Sequence, residues 1–278
     1  MPLMENSSQR IGTRILWRKR LGVLCLLVAV CASGCVPANN PSKEPKKSKA
    51  DLHFEFASNS FLEKNVRSAE KDLIISLDSD PDHRGANFLL GLIYFGRFRS
   101  TQANSDFMRS DKYFRKALEV DPDYGEARNN LGALYLEVGR WSEAAEVLLP
   151  LLEDRFYSTP YLAHNNLGWA FFNMREYKRA EFHFQQAVAI EPDMCLAQSH
   201  LGEVYSALGR NDVAVMRFDR AIKRCPEWNE PYWHLGQIYE GEGRIDLAIK
   251  SYEKCYELAP EQELGGACVT RANQLKGQ

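Results

Sequence analysis

The sequence predicts an all-α protein, a solenoid of stacked helix pairs, and two recurring patterns support that prediction. The dipeptide Leu-Gly occurs at successive intervals of 41, 36, 34 and 34 residues, and an aromatic residue stands four positions after each leucine. A period near 34 residues is typical of helix pairs that stack in one dimension. The five leucines are Leu90, Leu131, Leu167, Leu201 and Leu235.

Other positions of the repeat have the side chains that packed antiparallel helices require. Alanine stands 13 residues after the leucine in the last four repeats, and a large apolar residue stands 17 residues after it. Proline stands 25 residues after the leucine in the last three repeats, where it ends the second helix because it cannot continue one. The pattern resembles the tetratricopeptide repeat, which implies a right-handed superhelical solenoid.

The same register divides residues 51–262 into six repeats. The first is degenerate, and the second has seven extra residues within 96–110, which form either a longer turn or extended helix ends. We expect residues 263–278 to form a capping helix and a tail, because the last repeat would otherwise expose its apolar face. The predicted repeats are 51–83, 84–124, 125–160, 161–194, 195–228 and 229–262.

The N-terminal residues 1–34 have the composition of a bacterial lipoprotein signal peptide. Five basic residues precede an uncharged apolar run at 21–32, which is shorter than the roughly 20 residues that span a bilayer. The run leads into "ASGC" (32–35), which resembles a lipobox although Ala32 stands where leucine is usual. The resemblance implies cleavage before Cys35 and lipidation of its thiol. A cleaved signal without lipid and an uncleaved anchor are the alternatives.

Residues 35–50 are predicted to be the lipidated cysteine and a flexible tether. The segment after Cys35 contains three prolines, four lysines and no large apolar residue except Val36, so it cannot bury enough surface to fold. Val36 also stands where an aspartate would signal retention in the inner membrane. We therefore expect a protein anchored by lipid to the periplasmic face of the outer membrane.

Composition and motifs argue against nucleic-acid binding and catalysis. From residue 51 onward the chain has 26 Lys+Arg and 35 Asp+Glu, whereas nucleic-acid binding requires basic patches. The six histidines have no metal-ligand spacing, and the sequence has neither a glycine-rich phosphate loop nor a recognisable catalytic set. We expect no catalytic residue, no metal, no cofactor and no enzymatic activity.

Four cysteines follow the tether, and repeat geometry suggests how they pair. Cys195 begins the first helix of the fifth repeat and Cys225 ends its second helix, so an antiparallel pair brings them together. Cys255 lies near the end of the last repeat, and Cys268 lies in the capping helix beside it. In an oxidising compartment we predict the disulfides Cys195–Cys225 and Cys255–Cys268. Four buried thiols are the alternative, especially for Cys255, which replaces an alanine of other repeats.

The concave face of such a solenoid is the expected binding surface. In repeat register it consists of the residues two before, two after and five after the leucine of Leu-Gly. These residues are largely apolar in repeats two to four and mostly polar in repeats five and six, and an apolar patch of this kind fits a peptide strand or amphipathic helix. The alternative is that the first repeat or the tether covers the groove. The predicted partner-binding residues are Phe88, Leu92, Phe95, Asn129, Ala133, Leu136, Asn165, Trp169 and Phe172.

The combination of lipobox, short tether and six repeats resembles the type IV pilus pilotins. The stretch "LLEDRFYSTPYLAHNNLGWA" (151–170) also resembles a repeat junction of those proteins. The resemblance implies a protein that binds the secretin subunit of the type IV pilus and promotes its outer-membrane insertion and multimer assembly. The alternatives are a lipoprotein adaptor that docks peptidoglycan hydrolases and a scaffold of another envelope assembly machine. We expect the protein to be a monomer.

Overall fold

The computed structural model describes residues 47–277 and contains, in that part of the chain, only helices and their connections. Thirteen α-helices follow one another, and one 3-10 helix, Leu149–Leu152, extends the sixth. Their bounds are α1 Lys49–Leu62, α2 Val66–Ser79, α3 Arg84–Thr101, α4 Asn104–Val120, α5 Gly125–Glu137, α6 Trp141–Leu148, α7 Pro160–Asn173, α8 Tyr177–Ile190, α9 Cys195–Ala207, α10 Asn211–Arg224, α11 Glu230–Gly241, α12 Ile245–Leu258 and α13 Glu263–Lys276.

The helices pack as successive pairs, which confirms the predicted all-α solenoid. Each odd-numbered helix from α1 to α11 packs on the even-numbered helix after it, and each pair packs on the next. The last helix, α13, packs on α12 and buries Cys268, Ala272 and Leu275 against it. The end of the repeat stack is therefore covered by one additional helix, because a terminal repeat has no neighbour to bury its apolar face.

The glycine of each Leu-Gly pair lies where the two helices of a repeat approach most closely. A Cβ atom on Gly168 would lie 2.7 Å from the Phe184 ring, and one on Gly202 would lie 2.8 Å from Phe218. Both rings are fully buried, as are Ala180 and Ala214 on the same second helices. The period in the sequence is thus the packing requirement of one helix pair, repeated along the chain.

The seven extra residues of the second repeat extend both of its helices. Helices α3 and α4 have 18 and 17 residues, whereas the other helices have 8 to 14. Only Gln102 and Ala103 separate them, and Gln102 ends α3 in the left-handed region with φ 55°. Of the two expectations for 96–110, the structure therefore has the extended helix ends.

The helical domain begins slightly earlier than the predicted boundary at residue 51. Ser48 caps α1, because its hydroxyl accepts from the Asp51 N–H while the Asp51 carboxylate accepts from the Ser48 N–H. Lys49 and the buried Ala50 consequently belong to α1, which corrects the prediction that the tether runs to residue 50. The signal peptide, Cys35 and the tether up to residue 46 lie outside the described residues.

The four cysteines of the helical domain lie in two close pairs. The structure joins Cys195 to Cys225, with Cα atoms 6.2 Å apart, between the start of α9 and the residue that ends α10. It joins Cys255 to Cys268, with Cα atoms 6.0 Å apart, between α12 and α13. Both separations are ordinary for a disulfide. The oxidation state in the mature protein remains a prediction, which counting free thiols tests.

Candidate partner-binding groove

The odd-numbered helices α3, α5, α7, α9 and α11 form a continuous row, since each contacts the next odd-numbered helix. Residues at equivalent repeat positions therefore lie side by side along this row. The position numbers used below count from the leucine of Leu-Gly: −2 and −1 precede it, and +2 and +5 follow it. All nine predicted groove residues lie on the first three helices of the row.

The apolar part of the predicted groove consists of half-buried side chains. Each packs on the hydrophobic core with part of its surface and leaves the remainder accessible. The Trp169 and Phe172 rings stack on each other with centroids 5.4 Å apart. These rings form an apolar surface that is held in place by the core. Its members are Phe88, Leu92, Phe95, Trp169 and Phe172, together with the half-buried Ala133.

Three of the predicted groove residues are buried, which corrects their assignment as contact residues. Leu136 is 8% exposed, because it belongs to the core formed by α5 and its neighbours. Asn129 and Asn165 are 8% and 3% exposed, and each accepts a hydrogen bond from the next repeat. The two amides therefore link repeats to one another, and their accessible surface is too small for a partner to contact.

These amides belong to a ladder of hydrogen bonds between adjacent odd-numbered helices. At the junction of repeats three and four, Asn166 Nδ2 donates to Asn129 Oδ1 over 3.1 Å. At the next junction, His200 Nδ1 lies 3.1 Å from Asn165 Oδ1 and must donate, since an amide oxygen only accepts. The His200 ring also stacks on Trp169 at 4.5 Å. Each rung joins position −2 of one repeat to position −1 of the next.

The ladder is interrupted at the junction of repeats five and six. Ser199 and His234 occupy the equivalent positions, but they form no hydrogen bond with each other. Among the described residues, neither the buried Ser199 Oγ nor the buried His234 Nε2 has a hydrogen-bond partner. The His234 ring stacks on Phe218 at 5.2 Å. At position −2 of repeat five, serine replaces the longer asparagine, and the buried Ser199 Oγ is left without a partner. The Nε2 atoms of His200 and His234 are unsatisfied alike.

Two carboxylates lie beside the interrupted rung. Glu203, at position +2 on α9, has a side chain that is 12% exposed, and its Oε2 lies 4.0 Å from His234 Nε2. Burial raises the pKa of Glu203 well above its usual range, and the negative charge of the nearby Glu230 raises it further. Burial also raises the pKa of Glu230, which is the first residue of α11. We call Ser199, Glu203, Glu230 and His234 the acidic cluster.

The histidines around the acidic cluster are neutral at physiological pH. Burial lowers the pKa of His200 to about 3 and that of His234 to about 4. Neither imidazole therefore supplies a positive charge to the two carboxylates. The cluster is not identifiable from the sequence, in which Ser199 and Glu203 are only polar residues at groove positions. The sequence shows the change from Asn165 to Ser199 at position −2. It does not show which side chains form hydrogen bonds with these two residues.

Neither metal-binding nor membrane-spanning features occur in the described part of the chain. Residues 47–277 contain no group of three or more His, Cys, Asp and Glu residues that could hold a metal ion. None of the helices in that range has the length and apolar character needed to cross a membrane. The site is thus a face of helices with an apolar part on α3 to α7 and a polar, acidic part on α9 and α11.

Models of the tetratricopeptide repeat match residues 109–161, 161–194 and 193–261, which together cover more than half of the chain. The repeat is a protein-interaction scaffold, a class that is generally non-enzymatic. A curated relative, the "Type IV pilus assembly protein PilF" of Pseudomonas aeruginosa, is 25% identical over 185 residues, which are 64% of this chain and 71% of that protein.

Two solved structures of pilus proteins have the same fold. "Crystal structure of PilW, widely conserved type IV pilus biogenesis factor" has a TM-score of 0.70 and 20% identity, and the match covers 81% of this chain and all of that one. "Functional Characterization of Pseudomonas Aeruginosa pilF" has a TM-score of 0.66 and 17% identity, covering 80% of this chain and 97% of that one. The chain belongs to the tetratricopeptide repeat family and is related to its type IV pilus assembly members.

Proposed function

We propose that this protein is a pilotin, an outer-membrane lipoprotein that binds the type IV pilus secretin and promotes its membrane insertion and multimer assembly. The observation that carries the proposal is the relation to a type IV pilus assembly protein over 185 residues. The acidic composition from residue 51 onward, with 26 Lys+Arg against 35 Asp+Glu, supports a protein partner over a nucleic acid. The protein acts as a monomer whose partner lies along the row of odd-numbered helices.

The extent of the structural match supports kinship with pilus proteins beyond a shared repeat. The matches cover 100% and 97% of the two solved pilus proteins, so the helical domain accounts for nearly all of each. By contrast, the match to "Superkiller protein 3" of Schizosaccharomyces pombe, at 30% identity, covers only 10% of that protein. Any protein that contains the repeat can match a few repeats of a long array. A match that covers whole domains supports a common domain organisation.

The half-buried apolar side chains of α3 and α7 are the proposed contact surface for the secretin. A strand or amphipathic helix laid across Phe95, Trp169 and Phe172 would remove their remaining accessible surface from water. Burial of apolar surface contributes roughly 25 cal/mol for each Å². The rings are already held by the core, so binding would require little additional ordering on this side of the interface.

Lipidation of Cys35 would restrict where the groove can act. The residues from 36 to 47 would reach at most about 40 Å when fully extended. The partner would therefore be captured close to the membrane surface, before it inserts. Mass spectrometry of the mature protein tests this part of the proposal: a diacylglycerol-modified N-terminal Cys35 is expected, and an unmodified or uncleaved N-terminus would contradict it.

A pull-down of the secretin tests the groove directly. Phe95→Asp introduces a charge into the apolar surface and is expected to abolish capture, and Trp169→Ala is expected to weaken it. Phe182→Asp is the matched control, because Phe182 is 53% exposed on α8, outside the row of odd-numbered helices. Circular dichroism verifies that each variant is folded. Capture that Phe182→Asp abolishes and Phe95→Asp leaves intact would contradict the proposed surface.

A deletion strain tests the biological role. Without the protein, secretin multimers in the outer membrane are expected to fall while monomers persist. Re-expression of the wild-type chain is expected to restore the multimers, and re-expression of Phe95→Asp is not. Wild-type levels of multimers in the deletion strain would end the pilotin proposal and leave the adaptor and scaffold alternatives.

A further inference from the structure

The acidic cluster differs from the other partly buried glutamates of the domain in having no cationic partner. Glu240 pairs with Arg271, and Glu70 pairs with Arg97. Within residues 47–277, no lysine or arginine lies within ion-pair distance of Glu203, whose only such neighbour is the neutral His234, and none pairs with Glu230. Two neighbouring carboxylates therefore share a site without a positive charge.

Such an arrangement is unfavourable in the free protein. Burying a carboxylate costs free energy unless it is paired and hydrogen-bonded, and two adjacent carboxylates repel each other. The unsatisfied Ser199 Oγ and His234 Nε2 add to that cost, since a buried polar atom without a partner loses its hydrogen bonds to water. An asparagine at position 199, as repeats three and four have at the equivalent position, would stabilise the packing better. The cluster thus has the composition of a site that binds a cation.

We propose that the acidic cluster binds the ammonium or guanidinium group of a lysine or arginine in a protein segment that lies along the groove. The available groups suit such a ligand, since Glu203 and Glu230 accept hydrogen bonds when ionised. A guanidinium supplies several N–H donors in a planar fork and an ammonium supplies three, so either can satisfy more than one acceptor. An anionic ligand is disfavoured by the two carboxylates.

The position of the cluster specifies the partner segment further. Glu203 occupies position +2 on α9, and Trp169 occupies position +2 on the neighbouring α7. Packed helices lie about 10 Å apart, which an extended chain spans in about three residues. The partner segment should therefore have a large apolar residue about three positions from a basic one. The inference rests on the proposed function only for the identity of the partner.

Binding of a cation should be linked to release of protons from the cluster. The raised pKa values of Glu203 and Glu230 mean that the free site keeps protons at pH values where ordinary glutamates are ionised. The two histidines on α9 and α11, His200 and His234, stay neutral. Affinity for a cation is therefore expected to increase with pH above the ordinary glutamate value of 4.5, as the carboxylates ionise.

The test uses n-butylguanidinium chloride as the cationic probe and n-butylurea as its neutral counterpart of the same shape. The full chain, in detergent micelles and labelled with ¹³C at glutamate Cδ, is titrated with each compound and followed by NMR. Butylguanidinium is expected to shift the Glu203 Cδ signal in a saturable manner and to lower its apparent pKa, whereas butylurea is not. Equal shifts with both compounds would overturn the proposal.

Variants identify the site. Glu203→Gln and Glu230→Gln each remove one carboxylate while keeping its shape, and each is expected to weaken butylguanidinium binding about tenfold. Glu146→Gln is the matched control, because Glu146 is exposed on α6, away from the cluster. If both cluster variants bind the probe as tightly as the wild type, the proposal is wrong. Using two variants keeps the test decisive if one of them fails to fold.

The experiment separates this inference from the pilotin proposal. The probe does not involve the secretin, so a saturable Glu203 shift supports the cationic site even if the protein fails to capture secretin. Conversely, secretin capture that survives both Glu203→Gln and Glu230→Gln, without any probe binding, would leave the pilotin proposal intact and remove the cationic site.

Discussion

Repeat five forms two junctions, one with repeat four and one with repeat six. The two junctions use equivalent positions but differ in their hydrogen bonds. Where repeat five meets repeat four, Asn165 accepts from His200 and the rung is complete. Where repeat five meets repeat six, Ser199 and His234 stand at the same positions, and the buried Ser199 Oγ has no partner. The Nε2 atoms of His200 and His234 are unsatisfied at both junctions, so the difference lies at position −2, where serine stands instead of asparagine. The repeat framework thus tolerates a locally unfavourable site at a position that does not determine the fold.

Repeat five, which has the interrupted rung, also contains the predicted disulfide Cys195–Cys225. Cys195 begins α9, the helix that contains Ser199 and Glu203, and a bond to Cys225 would tie that helix to the end of α10. A crosslink stabilises chiefly by restricting the unfolded chain, so it offsets a loss of favourable contacts without filling the site. Repeats three and four, whose rungs are complete, contain no cysteine.

Removing the crosslink between Cys195 and Cys225 is expected to change the stability of the protein the most. The double variant Cys195→Ser and Cys225→Ser is expected to lower the free energy of unfolding by about 2–4 kcal/mol. Hydrogen exchange should accelerate in α9 and α10 and change little in α5 to α8, because stability in a repeat stack is local. Four free thiols in the denatured, unreduced wild-type protein, or uniform acceleration along the chain, would contradict this.

Truncating the ladder at its complete and interrupted rungs should have unequal effects. Asn165→Ala removes the acceptor of the buried His200 Nδ1–H and is expected to cost about 1–3 kcal/mol in chemical denaturation. Ser199→Ala removes a hydroxyl that has no partner, so it is expected to be neutral or slightly stabilising. The two variants are matched controls for each other. Equal losses of unfolding free energy in the two variants would show that the two junctions do not differ in hydrogen bonding.

Neutralising one carboxylate of the acidic cluster should stabilise the free protein in a pH-dependent manner. Because the pKa of Glu203 is raised in the folded state, the wild type loses stability as pH rises above the ordinary value of 4.5 through the folded pKa. The variant Glu203→Gln has no carboxylate to ionise at this position, so it is not expected to lose stability in this way. The variant is expected to melt about 2–4 °C higher at pH 7, corresponding to about 1 kcal/mol, and to match the wild type near pH 4.

The control for that experiment is Glu146→Gln, an exposed glutamate on α6. Its melting temperature should follow the wild type at every pH. A gap between Glu203→Gln and the wild type that is the same at pH 4 and pH 7 would show that the carboxylate charge is not the cause. Glu230 remains in the variant, so a smaller dependence on pH is expected to persist.

The smallest expected effect concerns the turn between the two helices of a repeat, where the residue with positive φ differs among the repeats. Gly139, Gly209 and Gly243 have φ of 74°, 71° and 72° in three turns, whereas Arg175 has φ 62° at the equivalent position of repeat four. A residue with a side chain is strained in this region, by roughly 1 kcal/mol. Arg175→Gly is therefore expected to stabilise by about 0.5 kcal/mol after the entropy of glycine is counted. Calorimetry measures it, and Gly209→Arg should show a loss instead.

The sequence predicted most of the framework because the framework obeys local rules. Leu-Gly, the following alanine and the large apolar residue recur because Gly168 meets Phe184, and its equivalents meet theirs, within one helix pair. The start of α1 differed by two residues, because capping by Ser48 depends on a single hydrogen-bond pattern. The extended helices α3 and α4 remained one of two possibilities, since both a long turn and long helices accommodate seven extra residues.

The groove was less predictable, because its details depend on the repeat that packs beside it. Asn129, Leu136 and Asn165 have the register of contact residues, but a neighbouring helix or the core buries them. His200 and Asn165 are 35 residues apart in the chain, and only the stacking of two repeats makes them partners. No pattern in the sequence shows that the equivalent Ser199 fails to reach His234.

The sequence alone determined the all-α repeat class, the number and order of the helix pairs, and which cysteines lie close together. Those features follow from hydrophobic period, glycine and proline, which act over one helix pair. The tertiary structure decided which groove side chains are accessible and which buried polar atoms are satisfied. Those properties depend on distances of a few ångströms between different repeats. Asn165 accepts a hydrogen bond from the next repeat, whereas the equally buried Ser199 has no partner.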